Sequence, residues 1–225
     1  RISKPKNVPI LIDAAAEVLT IPNVHLQRGA DIVAYSGGKA ICGPQCAGLV
    51  IGKKDILKSA WQASSPHHGP GRDNKVGREE MMGMLAAVES WTKRDHAAEW
   101  KVWMGYLATI SKKLQTIPGV STSIVEPTEL SNRSPVLNVS WDPAKFNIDG
   151  YEMTEVLGRT KPRIAVGGDD KEGKATIDIT TGQMQPGNDL VVANRIHEVL
   201  LQKRQPKKAM QNAGVNLTGR WDLTV

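Results

Sequence analysis

Two residues near the start of the chain have the type and the setting to do chemistry. Lys39 closes the turn Ser36-Gly37-Gly38-Lys39, directly after the apolar run of residues 31–35. An amine held at a defined place in this way can form a Schiff base with an aldehyde, and lysine gives up its proton readily when buried. Asp13 ends an earlier apolar run, residues 8–12, and a carboxylate beside a cationic ring nitrogen keeps that ring protonated. Each residue also has a plainer reading, Asp13 as the cap of a helix over 14–19 and Lys39 as a solvated loop amine. A phosphate-cradling loop is a third reading of the glycines. Its Gly-x-x-x-x-Gly-Lys-Ser/Thr pattern is absent, because Ala40 follows Lys39 and Val33 stands where the first glycine belongs.

The elements that must position these residues come next. Continuous apolar runs at 8–12, 31–35 and 47–52 predict strands, the first buried on both faces of a parallel sheet, with residues 14–30 crossing between the first two. That is the edge of an α/β sheet, and open sheets of this kind bind ligands beyond the carboxyl ends of their strands. Asp13 and Lys39 then share one ligand-facing rim. An Asp on a pyridinium nitrogen and a Lys on an aldehyde are what pyridoxal 5'-phosphate requires. Ser36 could offer its hydroxyl to the cofactor phosphate, and Ala15 is small enough for a ring to lie against the chain.

Residues 59–74 are predicted as a loop, with His67 and His68 in a solvated turn. Residues 78–115 are predicted helical in two segments, and Trp100, Trp103, Leu107, Ile110 and Leu114 recur at spacings of three and four as a buried stripe. Beyond Pro118-Gly119 the pattern shifts. Leu137, Val139 and Trp141 alternate with polar residues, a helix follows near 149–158, strands near 163–166 and 176–180, and a last helix over 188–202. The order β-β-α-β-β-α describes a compact α+β domain. The expected organisation is therefore 1–115 as part of a larger α/β domain with a bridging helix, 116–205 as a smaller α+β domain, and 206–225 as a linker and the start of a further module.

Composition narrows the classes. With 225 residues, 29 Lys+Arg against 23 Asp+Glu and a net charge of +6, the chain is neither a disordered nor a coiled-coil composition. No apolar run approaches the roughly 18–20 residues of a membrane span, so a cytoplasmic protein without a membrane partner is expected. Cys42 and Cys46 are spaced as neither a disulfide framework nor a zinc knuckle, so no metal is expected. The first residue is Arg1, not Met, and the last nine residues resemble a turn leading into a strand, so a portion of a longer polypeptide is expected.

The stretches Asp13-Ala14-Ala15-Ala16-Glu17, Gly29 through Gln45 and Gly48 through Lys53 together resemble the fold-type I pyridoxal-phosphate enzymes. Within them the chain is most similar to the bacterial selenocysteine synthase (seryl-tRNA selenium transferase) family and its D-glucosaminate-6-phosphate ammonia-lyase relatives. The likeness is strong over residues 8–95 and a general layout elsewhere, and its signature is Asp-x-Ala followed 26 residues after Asp13 by the lysine of Ser-x-x-Lys. The resemblance implies the C-terminal portion of a fold-type I enzyme, with Lys39 and Asp13 catalytic and Asp13, Ala15, Ser36 and Lys39 holding pyridoxal 5'-phosphate. It implies that Arg163 clamps a substrate carboxylate and that the loop of Arg72 and Lys75 helps build the substrate site. It also implies an amino-acid substrate, α,β-elimination or β-replacement as the reaction, and a homodimer or larger assembly. Transamination by the same residues, selenium transfer on charged tRNA and a catalytically inactive scaffold are the alternatives.

Overall fold

The computed structural model describes residues 4–6, 8–205 and 218–222. The expected tail module at 206–225 falls largely outside the described residues. The chain divides into two compact units: the first is Arg1–Ala108, Ile124–Leu137 and Thr180–Met184, the second Thr109–Ser123, Asn138–Ile179 and Gln185–Val225.

In the first unit, strands β1 (Leu11–Asp13), β2 (Ile32–Ser36) and β3 (Gly48–Gly52) form one sheet in that order. β1 runs parallel to β2 with Asp13 opposite Ala34, and β3 returns antiparallel. Alternation along β2 sends Val33 and Tyr35 into a core with Ala14, Leu19, Ile41, Met84 and Trp91, while Ala34 and Ser36 lie on the other face. Burial pushes the Tyr35 phenol up from its ordinary pKa, and Asn23 donates to its hydroxyl at 2.7 Å.

The sequence pattern misplaces some of these boundaries. The first strand starts at Leu11, which is 62% exposed. As the edge strand of the sheet it has one paired neighbour and one covered face among the described residues, so its unbroken apolar run does not mean burial on both sides. No helix crosses over 14–30. A turn follows Asp13, and the only helix there is the four-residue α1 (Val24–Gln27), capped by Asn23. The loop expected from residue 59 begins later, since α2 (Lys54–Ala63) continues through it.

Two helices follow as expected, α3 (Arg78–Lys93) and α4 (His96–Leu114). The division between the units falls inside α4. Leu107, Ile110 and Leu114 on its predicted stripe are fully buried.

The remaining strands form a four-stranded sheet in the order β4-β5-β7-β6, from β4 (Val120–Val125), β5 (Val136–Trp141), β6 (Gly167–Lys171) and β7 (Lys174–Thr180). Val139, Trp141, Ala175, Ile177 and Ile179 are buried at alternate positions, as their period of two predicts. Pro143 at its first turn and Asp142 as cap start α5 (Pro143–Phe146), and Asp149 and Glu152 form a reciprocal capping box on α6 (Gly150–Arg159). The last helix is α7 (Asn188–Leu201). The strand expected at 163–166 lies at Gly167–Lys171 instead. The apolar Ile164-Ala165-Val166 looks more strand-like than Gly-Gly-Asp-Asp by propensity, but the ladder to β7, with Gly167 opposite Asp178, and close contact with α6 decide the register.

That contact depends on the absence of side chains. A Cβ on Gly168 would run into Thr154 Oγ1 and the Gly150 carbonyl, whereas a Cβ on Gly158 of α6 would meet nothing within 4 Å. Gly168→Ala is therefore expected to destabilise the protein by about 1–3 kcal/mol, and Gly158→Ala to be neutral or stabilising by up to about 1 kcal/mol. Denaturant unfolding of both variants checks the contrast, and equal effects would contradict the packing described.

Candidate functional site

The carboxyl ends of β1 and β2 bring two of the candidate residues, Asp13 and Ser36, onto one sheet face. Because the strands are parallel and in register, Asp13 faces the same way as its partner Ala34, and Ser36, two residues on, shares that face. Asp13 caps no helix. Its Oδ1 accepts from the Ala15 N–H at 3.0 Å, which leaves Oδ2 without a partner among the described residues. Ala15 is half-buried beside it.

The turn that carries Lys39 is tied down from below. The Gly37 N–H donates to the Ala47 carbonyl at 2.9 Å, the Gly43 N–H to the Gly37 carbonyl at 2.7 Å, and the Cys42 N–H to the Lys39 carbonyl at 2.9 Å. A Cβ on Gly37 would sit 2.6 Å from the Ala47 carbonyl oxygen and 2.8 Å from Met84 Sδ, so only glycine lets the turn lie this close to the sheet and α3. Above this anchored backbone the Lys39 side chain is exposed and makes no ion pair or hydrogen bond among the described residues.

Lys39 lines a cavity of about 1250 Å³, and every residue lining it belongs to the first unit. Asp13 and Ser36 are not among the lining residues. The lining also takes in residues of α4 and of the segment before β5: Trp100 and Trp103 with Glu126 and Arg133. The two tryptophans, expected as core, are only partly covered, with ring centroids 6.1 Å apart. Trp100 Nε1 donates to Glu126 Oε2 at 3.0 Å, and the Arg133 guanidinium lies 5.8 Å from the Trp100 ring centroid. A backbone latch holds this part of the lining to the segment after Asp13, with the Val18 N–H donating to the Leu130 carbonyl at 3.0 Å and the Asn132 N–H to the Ala16 carbonyl at 2.8 Å.

Arg72, in a short 3-10 turn, donates to the Pro66 carbonyl at 2.6 Å. Arg163 is exposed in the second unit, between α6 and β6, without a polar partner among the described residues. His67 is half-buried, not a purely solvated turn residue, with its ring 4.3 Å from that of Trp61. Cys42 and Cys46 are exposed free thiols, and no group of His, Cys, Asp or Glu among the described residues is arranged to hold a metal. The sequence reading missed Arg133, which sits in the polar stretch Ser131-Asn132-Arg133-Ser134 with nothing local to mark it.

A family model described as aminotransferase class-V matches residues 1–167. The chain belongs to that family. The protein is 28% identical over 219 residues to a 5'-C-glycyluridine monooxygenase-decarboxylase of a Streptomyces species, across 94% of this chain and 51% of that one. It is 31% identical over 98 residues to an L-seryl-tRNA(Sec) selenium transferase of Proteus mirabilis, across 39% of this chain and 20% of that one. The solved structure of a D-glucosaminate-6-phosphate ammonia-lyase superposes with a TM-score of 0.67 at 21% identity, over 88% of this chain and 50% of that chain, and shows the shared fold. The chain thus spans about half the length or less of the relatives it matches. Its architecture is that of part of a fold-type I pyridoxal-phosphate enzyme, and the cofactor of this family is pyridoxal 5'-phosphate. The donor set present here fits that group: a carboxylate with a free oxygen, a hydroxyl on the same sheet face, a small residue beside them and an uncommitted amine on the next turn.

The scaffold under the cavity depends on Trp91, whose buried Nε1 donates to the Leu19 carbonyl at 2.9 Å. Trp91→Phe keeps the apolar ring but strands that carbonyl, and a loss of about 1–3 kcal/mol in denaturant unfolding is expected. A variant as stable as the parent would show that the bond does not hold the floor in place.

Proposed function

We propose that the protein is part of a pyridoxal-phosphate enzyme acting at the α-carbon of an amino acid, by α,β-elimination or β-replacement. The observation that supports this most directly is the pairing of β1 and β2, which aligns Asp13 and Ser36 on one face while the uncommitted Lys39 amine stands three residues beyond Ser36.

Under this reading the Asp13 carboxylate holds a proton on the pyridine nitrogen, and its bond to the Ala15 N–H keeps the carboxylate aimed. Ser36 hydrogen-bonds the phosphate, and Ala15 packs near the ring. When bound, pyridoxal phosphate supplies the electron withdrawal that makes the α-C–H bond acidic. Lys39 would serve as the general base that takes the substrate's α-proton. The anchored glycine turn returns the same amine to the same point in each turnover. The assembly under this reading is a homodimer or larger, with a small amino-acid-like substrate.

A second reading, decarboxylation with oxygen, is favoured by a 5'-C-glycyluridine monooxygenase-decarboxylase whose match runs over 94% of this chain. Transamination would use the same residues, because substrate placement decides which bond at the α-carbon breaks.

Lys39→Ala should abolish the visible absorption band of the full-length protein supplied with pyridoxal phosphate and lower turnover by about 10²–10⁴-fold. Asp13→Asn should keep the band and lose activity. Release of ammonia or a β-substituent supports elimination or replacement, while carbon dioxide release with oxygen uptake supports the second reading. Retention of the band in Lys39→Ala would sink the assignment.

A further inference from the structure

Two guanidinium groups line the cavity that Lys39 enters. Arg94 is committed, with Nη1 3.8 Å from Glu99 Oε1 and its Cζ 5.4 Å from the Trp91 ring centroid. Arg133 is not. It contacts the Trp100 ring, and no carboxylate or carbonyl among the described residues accepts from it. A cation–π contact of this kind occupies none of the five N–H donors in a conventional hydrogen bond.

The shelf behind Arg133 is fixed on two sides. Glu126 accepts the Trp100 N–H and so sets the indole plane, and the Asn132 N–H bond to the Ala16 carbonyl ties the residue before Arg133 to the segment that follows Asp13. A planar fork of donors held against a braced indole matches a carboxylate bidentately. A free amino acid needs that group in the same cavity as the lysine that works at its α-carbon.

Resting on the reading above, that Lys39 acts on an amino acid, we infer that Arg133 binds the substrate's α-carboxylate, with Trp100 and Glu126 as positioning residues. Arg163, which the family resemblance puts in that role, belongs to the second unit and enters the test as the rival.

The experiment uses the full-length protein loaded with pyridoxal phosphate and four probes: L-serine, L-alanine, and their counterparts without a carboxylate, ethanolamine and ethylamine. Dissociation constants are read from the change in the visible band. The parent protein should bind each acid more tightly than its amine. Arg133→Ala should weaken both acids by roughly 10- to 100-fold while the amines stay within about twofold. Arg133→Lys, which keeps the charge and loses the fork, should recover part of that loss. Trp100→Phe, which cannot bond Glu126, should weaken the acids by a smaller factor and spare the amines. The inference is overturned by equal losses for acids and amines in Arg133→Ala, by a parent protein that does not prefer the acids, or by a selective loss in Arg163→Ala instead. A protein with no lysine-dependent band removes the underlying reading as well, whereas a normal band without acid selectivity removes Arg133 alone.

Discussion

The site rests on the in-register parallel pairing of β1 with β2. The Ala14 N–H donates to the Ala34 carbonyl at 2.9 Å, and the N–H groups of Asp31 and Ile32 both reach the Ile10 carbonyl. Because side chains alternate, a slip of one residue would turn Asp13 toward the face that holds Val33 and Tyr35, and would turn Ile12 outward. A carboxylate on that face would lose its hydration against apolar neighbours and gain no partner. Burial of the apolar set on one side is what keeps the acid on the other.

The second constraint is the close approach of the Lys39 turn to the sheet. Gly37 has no room for a side chain, so the backbone of residues 37–43 is pressed against residues 44–47 and Met84. The amine therefore starts from a fixed base while its end remains unpaired. The latch between residues 16–18 and 130–132 brings residues from distant sequence into the lining of the same cavity. Trp100, Glu126 and Arg133 then form a chain of contacts in which each group limits the freedom of the next. Under the proposed function, rigid placement of this kind lets one fold host different reactions, because the cofactor's electronic effect is common and the surrounding wall decides which bond is aligned to break.

Much of the fold was legible because local rules and tertiary packing agree there. The period of two at Leu137, Val139 and Trp141, the three-four stripe at Leu107, Ile110 and Leu114, and the helix near 149–158 all appear where their patterns put them. Local rules failed where packing overrode them. The strand took in Gly168, where only glycine allows β6 to lie on α6, and the apolar residues just before lost that place. Leu11 looked buried by composition and sits on an edge. Trp100 and Trp103 matched a core stripe, yet their helix presents them to a cavity.

For the site itself, the sequence alone determined the residue types and their order along the chain: an acid at one strand end, and a hydroxyl, two glycines and an amine at the next, a local pattern that short-range geometry makes nearly obligatory. Which distant residues face that amine was decided only by the tertiary structure. Arg133 carries no local signature, and its place near Lys39 depends on hydrogen bonds between segments more than one hundred residues apart, whose pairing no short-range rule contains.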